Sequence, residues 1–161
     1  MASLKKENQK KLEQNTQMQE ITAEVLDHMM NPKNYGTMED ANGVGMAVDN
    51  KTGEFAMVYI KLIDGVLEDI SYGVNACQDT VVAGSLFTEM VKKDTLENAI
   101  KTLKIMDEKL FEVPKKQQVC AGMVLEAFRS AIINYDNRVA GRDEDVCKKE
   151  LRDSCEGISL G

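Results

Sequence analysis

The chain has 161 residues, 43% of them hydrophobic, enough for one sizeable core and within the usual span of a single domain. Twenty-seven acidic against twenty basic residues leave a net charge of -7. That balance argues against nucleic-acid binding, because the two basic stretches, "LKKENQKK" and "PKKQQ", are short and mixed with amides. No run approaches the roughly eighteen apolar residues of a membrane span, and the start is charged where a signal peptide is apolar, so a cytoplasmic protein without a membrane partner is expected.

Residues 1–19, rich in Lys, Glu, Gln and Asn, are expected to form a flexible arm. From Ile21 onward, Ile21, Val25 and Met29 recur at helical spacing, and Pro32 ends that helix. His28, the single histidine, has no cysteine near it in sequence and reads as a cap or packing residue. "GVGMAVDNKTGE" (43–54) has glycines but no following phosphate-binding helix with a lysine, which speaks against a nucleotide loop. Asn50 in it starts a turn.

"EFAMVYIKLIDGVLEDISYGVNAC" (54–77) holds two β-rich runs around Asp64-Gly65, a dipeptide suited to a type I′ hairpin turn. A two-residue loop pairs Lys61 with Glu68, Tyr59 with Ile70, Met57 with Tyr72 and Phe55 with Val74. On the other face it pairs Val58 with Ser71 and Ala56 with Gly73. Carried outward, the same register sets Glu54 opposite Asn75 and Thr52 opposite Cys77, so Cys77 is expected beside the "TGE" loop (52–54).

After Cys77 the period becomes helical, with Val81, Val82, Ser85, Leu86, Met90 and Val91 on one face and Asp79 as N-cap. Asp94 and Glu97 cap a further helix, and Pro114 breaks the run. A long helix is expected from about Gln117 to Tyr135, with Cys120 in its first turn. The closing stretch "RDEDVCKKELRDSCEGISLG" (142–161) reads as an amphipathic helix with Cys147, Leu151 and Cys155 on one stripe.

The four cysteines form no CxxC pair, and in a reducing compartment an even count does not by itself imply disulfides. Cys77 and Cys120 each fall at a predicted helix start, where open N–H groups and the helix dipole favour a thiolate. Thiolates bind iron–sulfur cores and soft metals, and a nearby carboxylate such as Glu54 supplies a harder, exchangeable ligand. The plainer reading is that both are small buried residues. Ten methionines at core-like positions fill space, and one histidine cannot build a hydrolytic triad, so no enzyme is indicated.

"VLDHMMNPKNYG" (25–36), the hairpin phrase, and "VCAGMVLEAFRSAIINY" (119–135) resemble the U-type iron–sulfur cluster scaffold family, IscU and the N-terminal domain of NifU, over about residues 20–136. The resemblance implies an α+β fold in which a small three-stranded antiparallel sheet packs against several helices. Residues 1–19 would be the arm before that domain and 137–161 a helical extension after it. It implies a binding protein that assembles a transient [2Fe–2S] cluster with sulfur from a cysteine desulfurase and hands it to apo iron–sulfur acceptor proteins.

In that family's pattern the second and third cysteines fall on Cys77 and Cys120, and the aspartate falls on Glu54. The first cysteine falls on Thr52, and a histidine before the third cysteine falls on Val119. The chaperone-recognition phrase becomes "VPKKQ" from Val113, which weakens the expectation of a chaperone partner. The cofactor- and metal-binding set implied is therefore Cys77, Cys120 and Glu54.

A [2Fe–2S] core takes four protein ligand positions, so another group is required. Cys147 or Cys155 could supply it from the last helix, or a homodimer could pool Cys77 and Cys120 from two chains. A single zinc or iron ion is a further cargo. The plainer account of the terminal cysteines is that they line a packed stripe. Two rivals stand beside a scaffold: a cluster-free interaction or regulatory module for a desulfurase or other partner, and a reversible disulfide between Cys77 and Cys120.

Overall fold

A computed structural model describes residues 23–151. They run α1 (residues 23–30), β1 (Gly43–Val48), β2 (Phe55–Ile63), β3 (Val66–Asn75), α2 (Gln78–Val91), α3 (Leu96–Leu110), α4 (Lys115–Val139) and β4 (Cys147–Glu150). The N-terminal arm and Cys155 lie outside the described residues.

The β2–β3 hairpin turns where the sequence says, with Asp64 and Gly65 at φ 51° and 76° as a type I′ turn requires. Its first two pairs, Ile63 with Val66 and Leu62 with Leu67, follow the expected register. An irregularity beyond Leu62 then shifts the ladder by one, so that Lys61 pairs with Asp69, Ile60 with Ile70, Val58 with Tyr72 and Phe55 with Asn75. The eight pairs expected beyond Leu62 from a uniform register, from Lys61 with Glu68 out to Thr52 with Cys77, therefore do not form.

The reason is parity. An uninterrupted period of two from Leu67 would turn Ile70 and Tyr72 outward. One extra residue brings Leu67, Ile70 and Tyr72 onto the face that buries Ala56, Val58, Ile60 and Leu62. Burying each such side chain is worth about 1.5–3 kcal/mol, against a few tenths to about 1 kcal/mol for a favourable cross-strand pair, so burial sets the register.

The sheet has four strands in the order β3-β2-β1-β4. β4 lies parallel to β1, with Gly45 opposite Cys147 and Val48 opposite Glu150. This corrects two expectations: the sheet is not three antiparallel strands, and residues 147–150 are extended rather than helical. β4 satisfies the outer edge of β1 and in turn presents Lys148, Lys149 and Glu150, charged residues suited to an exposed edge. Side chains of α4 hold the approach to it. Asn134 donates to the Glu144 carbonyl at 3.0 Å, and Arg138 donates to the same carbonyl at 3.0 Å.

α4 lies against β1, whose inward residues Gly43, Gly45 and Ala47 are small enough to admit the helix backbone. α2 packs on α4 through Phe87 and Phe128, edge to face at 4.9 Å. His28 is a packing residue, as its isolation in the sequence implies. It is buried, with Nδ1 2.6 Å from Ser85 Oγ, and ties α1 to α2. No helix among the described residues is long and apolar enough to cross a membrane.

Tyr72 is wholly buried, and its O–H donates to the Val81 carbonyl at 2.9 Å. Burial pushes its phenol up to about 12, while an unfolded chain ionises near 10. Between those values the folded chain holds the extra proton, so stability falls as pH rises through that window. Tyr72→Phe is expected to cost about 1 kcal/mol at neutral pH and to flatten the alkaline loss, read from urea midpoints at several pH values.

Candidate functional site

Val48, Phe55 and Asn75 form the last paired row across β1, β2 and β3. Just beyond it the Asp49 N–H donates to the Glu54 carbonyl at 2.8 Å, closing the loop between β1 and β2. Asp49 is 3% exposed, and its Oδ1 accepts from the N–H groups of Lys51 at 2.9 Å and Thr52 at 3.4 Å. Gly53, at φ 78°, donates to the Asp49 carbonyl at 2.8 Å. Thr52 Oγ1 accepts from the Glu54 N–H at 3.2 Å. The "TGE" loop is thus fixed by its own short-range hydrogen bonds. In it, Glu54 Oε2 is buried with no hydrogen-bond partner among the described residues, an arrangement that carries a cost unless some other group meets that oxygen.

Cys77 follows β3 by two residues and is the N-cap of α2, in extended conformation (φ -70°, ψ 164°). Asp79, expected as the cap, lies one step inside the first turn. The Cys77 side chain makes no capping bond, and its Sγ lies 3.3 Å from Thr80 Oγ1. The sulfur therefore sits at the positive end of a 14-residue helix, half-buried against the core.

Cys120 departs from expectation. α4 begins at Lys115 behind Pro114, which makes Cys120 its sixth residue, in the second turn. Its own amide belongs to the helix ladder, so the open N–H groups of the helix start are a turn away. It is wholly buried, in the same core cluster against which Cys77 packs.

The direction of α4 fixes the level of Cys120 along the sheet. A Cβ on Gly43 would meet the Ala131 carbonyl, and one on Gly45 the Ala127 carbonyl, so helix and strand run oppositely. Seven residues of helix from Ala127 back to Cys120 cover about 10.5 Å. Three residues of strand from Gly45 to Val48 cover about 10 Å. Cys120 is therefore level with Val48, at the end of the sheet that also holds Glu54 and Cys77.

Cys147 stands apart. It pairs with Gly45, three residues short of that end. Burial, and after it the Glu144 charge, push its thiol up, away from the thiolate form. Its place in β4 also removes it from the helical stripe expected to join it to Leu151 and Cys155. Among the described residues no three His, Cys, Asp or Glu side chains gather closely enough to hold one metal ion. Cys77, Cys120 and Glu54 thus share one end of the fold without closing a ligand shell.

The model of the NifU-like N-terminal domain matches residues 20–142. The chain belongs to this family. An iron–sulfur cluster assembly scaffold protein, IscU 1 of Archaeoglobus fulgidus, is 37% identical over 138 residues, spanning 85% of this chain and 90% of the relative. The IscU of Aquifex aeolicus is 34% identical over 132 residues, spanning 80% and 83%. A crystal structure of a nitrogen-fixing NifU-like protein (N-terminal) from Brucella abortus superposes with a TM-score of 0.56 at 17% identity, over 71% of this chain and 93% of that one, which supports the fold.

Within this NifU-like fold, Asp49, which holds the loop around Glu54, is a residue that the sequence reading did not single out. Its signal was present in "DNKTG", an aspartate followed by turn residues and a glycine, the pattern by which an aspartate carboxylate gathers loop amides.

Proposed function

We propose that this NifU-like chain is an iron–sulfur cluster scaffold with an altered ligand set. Cys77 and Cys120 hold a transient [2Fe–2S] cluster as cargo, and Glu54 is a labile ligand. The observation that carries this reading is Glu54 Oε2, buried and without a hydrogen-bond partner among the described residues, at the end of the sheet shared by Cys77 and Cys120. A carboxylate exchanges on iron more readily than a thiolate, which suits a protein that must release what it assembles. Sulfur would come from a cysteine desulfurase, apo iron–sulfur proteins would receive the cluster, and the setting would be the cytoplasm. The role is binding and transfer, with no catalysed bond change assigned to this chain.

Anaerobic reconstitution with ferrous iron and sulfide tests it. The wild-type chain should absorb between about 320 and 450 nm, as thiolate-ligated clusters do, with iron and sulfide in equal amounts. Cys77→Ser with Cys120→Ser should lose at least about tenfold of both, because hydroxyls replace the soft ligands. Equal retention by the double variant would end the reading. Glu54→Gln should keep the fold and shed iron to a chelator about threefold faster or more, through loss of one charged ligand.

One observation favours a second reading, a cluster-free module that binds a desulfurase or another partner. Cys120 is wholly buried, and no three donors converge among the described residues. A chain that binds desulfurase yet retains neither iron nor sulfide would decide for it.

A further inference from the structure

Thr80 is the third residue of α2 and is wholly buried. A threonine inside a helix ordinarily turns its hydroxyl back to a carbonyl three or four residues earlier. Thr88, the other buried threonine of the same helix, does so, donating to the Gly84 carbonyl at 2.7 Å and to the Ser85 carbonyl at 3.2 Å. Four residues before Thr80, at Ala76, the chain has not yet entered the helix, whose N-cap is Cys77. The Thr80 N–H donates to the Cys77 carbonyl at 3.0 Å, and the Thr80 hydroxyl meets the Cys77 sulfur at 3.3 Å. The pairing of an N-cap side chain with the residue three places on fixes many helix starts. Here it is made with a sulfur that bonds to none of the helix amides.

The charge on the sulfur decides the direction of that bond. A thiol and a hydroxyl can each donate to the other, but a thiolate, or a sulfur bound to iron, has no proton and only accepts. Thr80 is then the donor. Its burial keeps solvent from competing for the hydroxyl, and a hydroxyl buried without a partner is costly, so the O–H stays on the sulfur.

We propose that Thr80 is a positioning residue of the cluster site: its hydroxyl donates to the Cys77 sulfur, fixes the direction of that sulfur, and sets how readily a bound cluster accepts an electron. A hydrogen bond to a ligating sulfur draws negative charge from it and so favours the reduced cluster. The cluster role rests on the scaffold reading above; the bond from hydroxyl to sulfur does not.

The bond is tested on the full-length apo chain by the rate at which iodoacetamide alkylates Cys77, assigned by peptide mass mapping and compared where the rate no longer rises with pH. Cys77 is half-buried, so a small reagent reaches it. Thr80→Val keeps the shape and removes the donor, and should react at least about twofold faster, because a thiolate without a donor is the stronger nucleophile. Thr80→Ser, which loses a methyl group and keeps the hydroxyl, should restore the wild-type rate. Equal rates in wild type and Thr80→Val, or a Thr80→Ser rate that follows Thr80→Val, overturn the bond.

The cluster role is tested after reconstitution with ferrous iron and sulfide. Thr80→Val should lower the reduction equilibrium constant of the cluster at least threefold, about 28 mV for a one-electron couple, and Thr80→Ser should restore it. An unchanged potential in Thr80→Val overturns the cluster role even if the alkylation rate responds. A wild-type chain that holds no cluster ends the scaffold reading and the cluster role together, and alkylation still decides the bond.

Discussion

Gly45→Ala should lower the unfolding free energy by about 3–5 kcal/mol, beyond the usual range for an overpacked core. In an ordinary strand the same change is neutral or helpful, because alanine loses less conformational freedom than glycine. Here a Cβ would stand 2.0 Å from the Ala127 carbonyl oxygen, 2.2 Å from the Ala131 nitrogen and 2.7 Å from the Ser130 carbonyl carbon. All three are helix backbone and have no rotamer to escape into, so α4 must lift from β1 as a unit. That separation would open gaps beside Ala47 and Ala131, both wholly buried, and raise Cys120 out of line with Val48. Against a typical domain stability of about 5–15 kcal/mol, such a loss leaves a marginal fold. Gly73→Ala is the control, since nothing lies within 4 Å of its Cβ position, and its effect should stay within about 0.5 kcal/mol. Urea midpoints decide: a Gly45→Ala midpoint equal to that of wild type would mean that α4 does not rest so closely on β1.

The same contact explains why β1 was not read from its own residues. "GVGMAV" offers a strand little intrinsic preference, and its glycines acquire meaning only when a helix backbone lies on them. The β2–β3 hairpin was legible because alternation and Asp64-Gly65 are both local. The shift beyond Leu62 was not, since it is imposed by the side chains that reach the core, although the odd spacing of Leu67 and Ile70 records it. β4 was misread because Cys147 and Leu151, four apart, fit a helical stripe, whereas the strand exists to pair with β1, far earlier in the chain. That Cys77 and Glu54 lie at one end of the sheet follows from the hairpin. The depth of Cys120 depends on where Pro114 starts α4, a choice of a few residues that periodicity does not resolve.

On the scaffold reading proposed above, Thr52→Cys should slow cluster loss to a chelator at least about tenfold, equivalent to roughly 1.4 kcal/mol. On the resemblance described above, Thr52 would stand at the family's first cysteine position, and its hydroxyl is a poor iron ligand where a thiolate is a strong one. The loop should tolerate the exchange. Thr52 is half-buried and similar in volume to cysteine, and the fold of the loop depends on Asp49 accepting from Lys51 and Thr52 backbone N–H groups, which remain. Only the Glu54 N–H contact to Thr52 Oγ1 is exchanged, for a weaker one to sulfur. Iron and sulfide per chain, followed over time in wild type and in Thr52→Cys, measure the change directly. Unchanged retention in Thr52→Cys would place residue 52 away from the cluster.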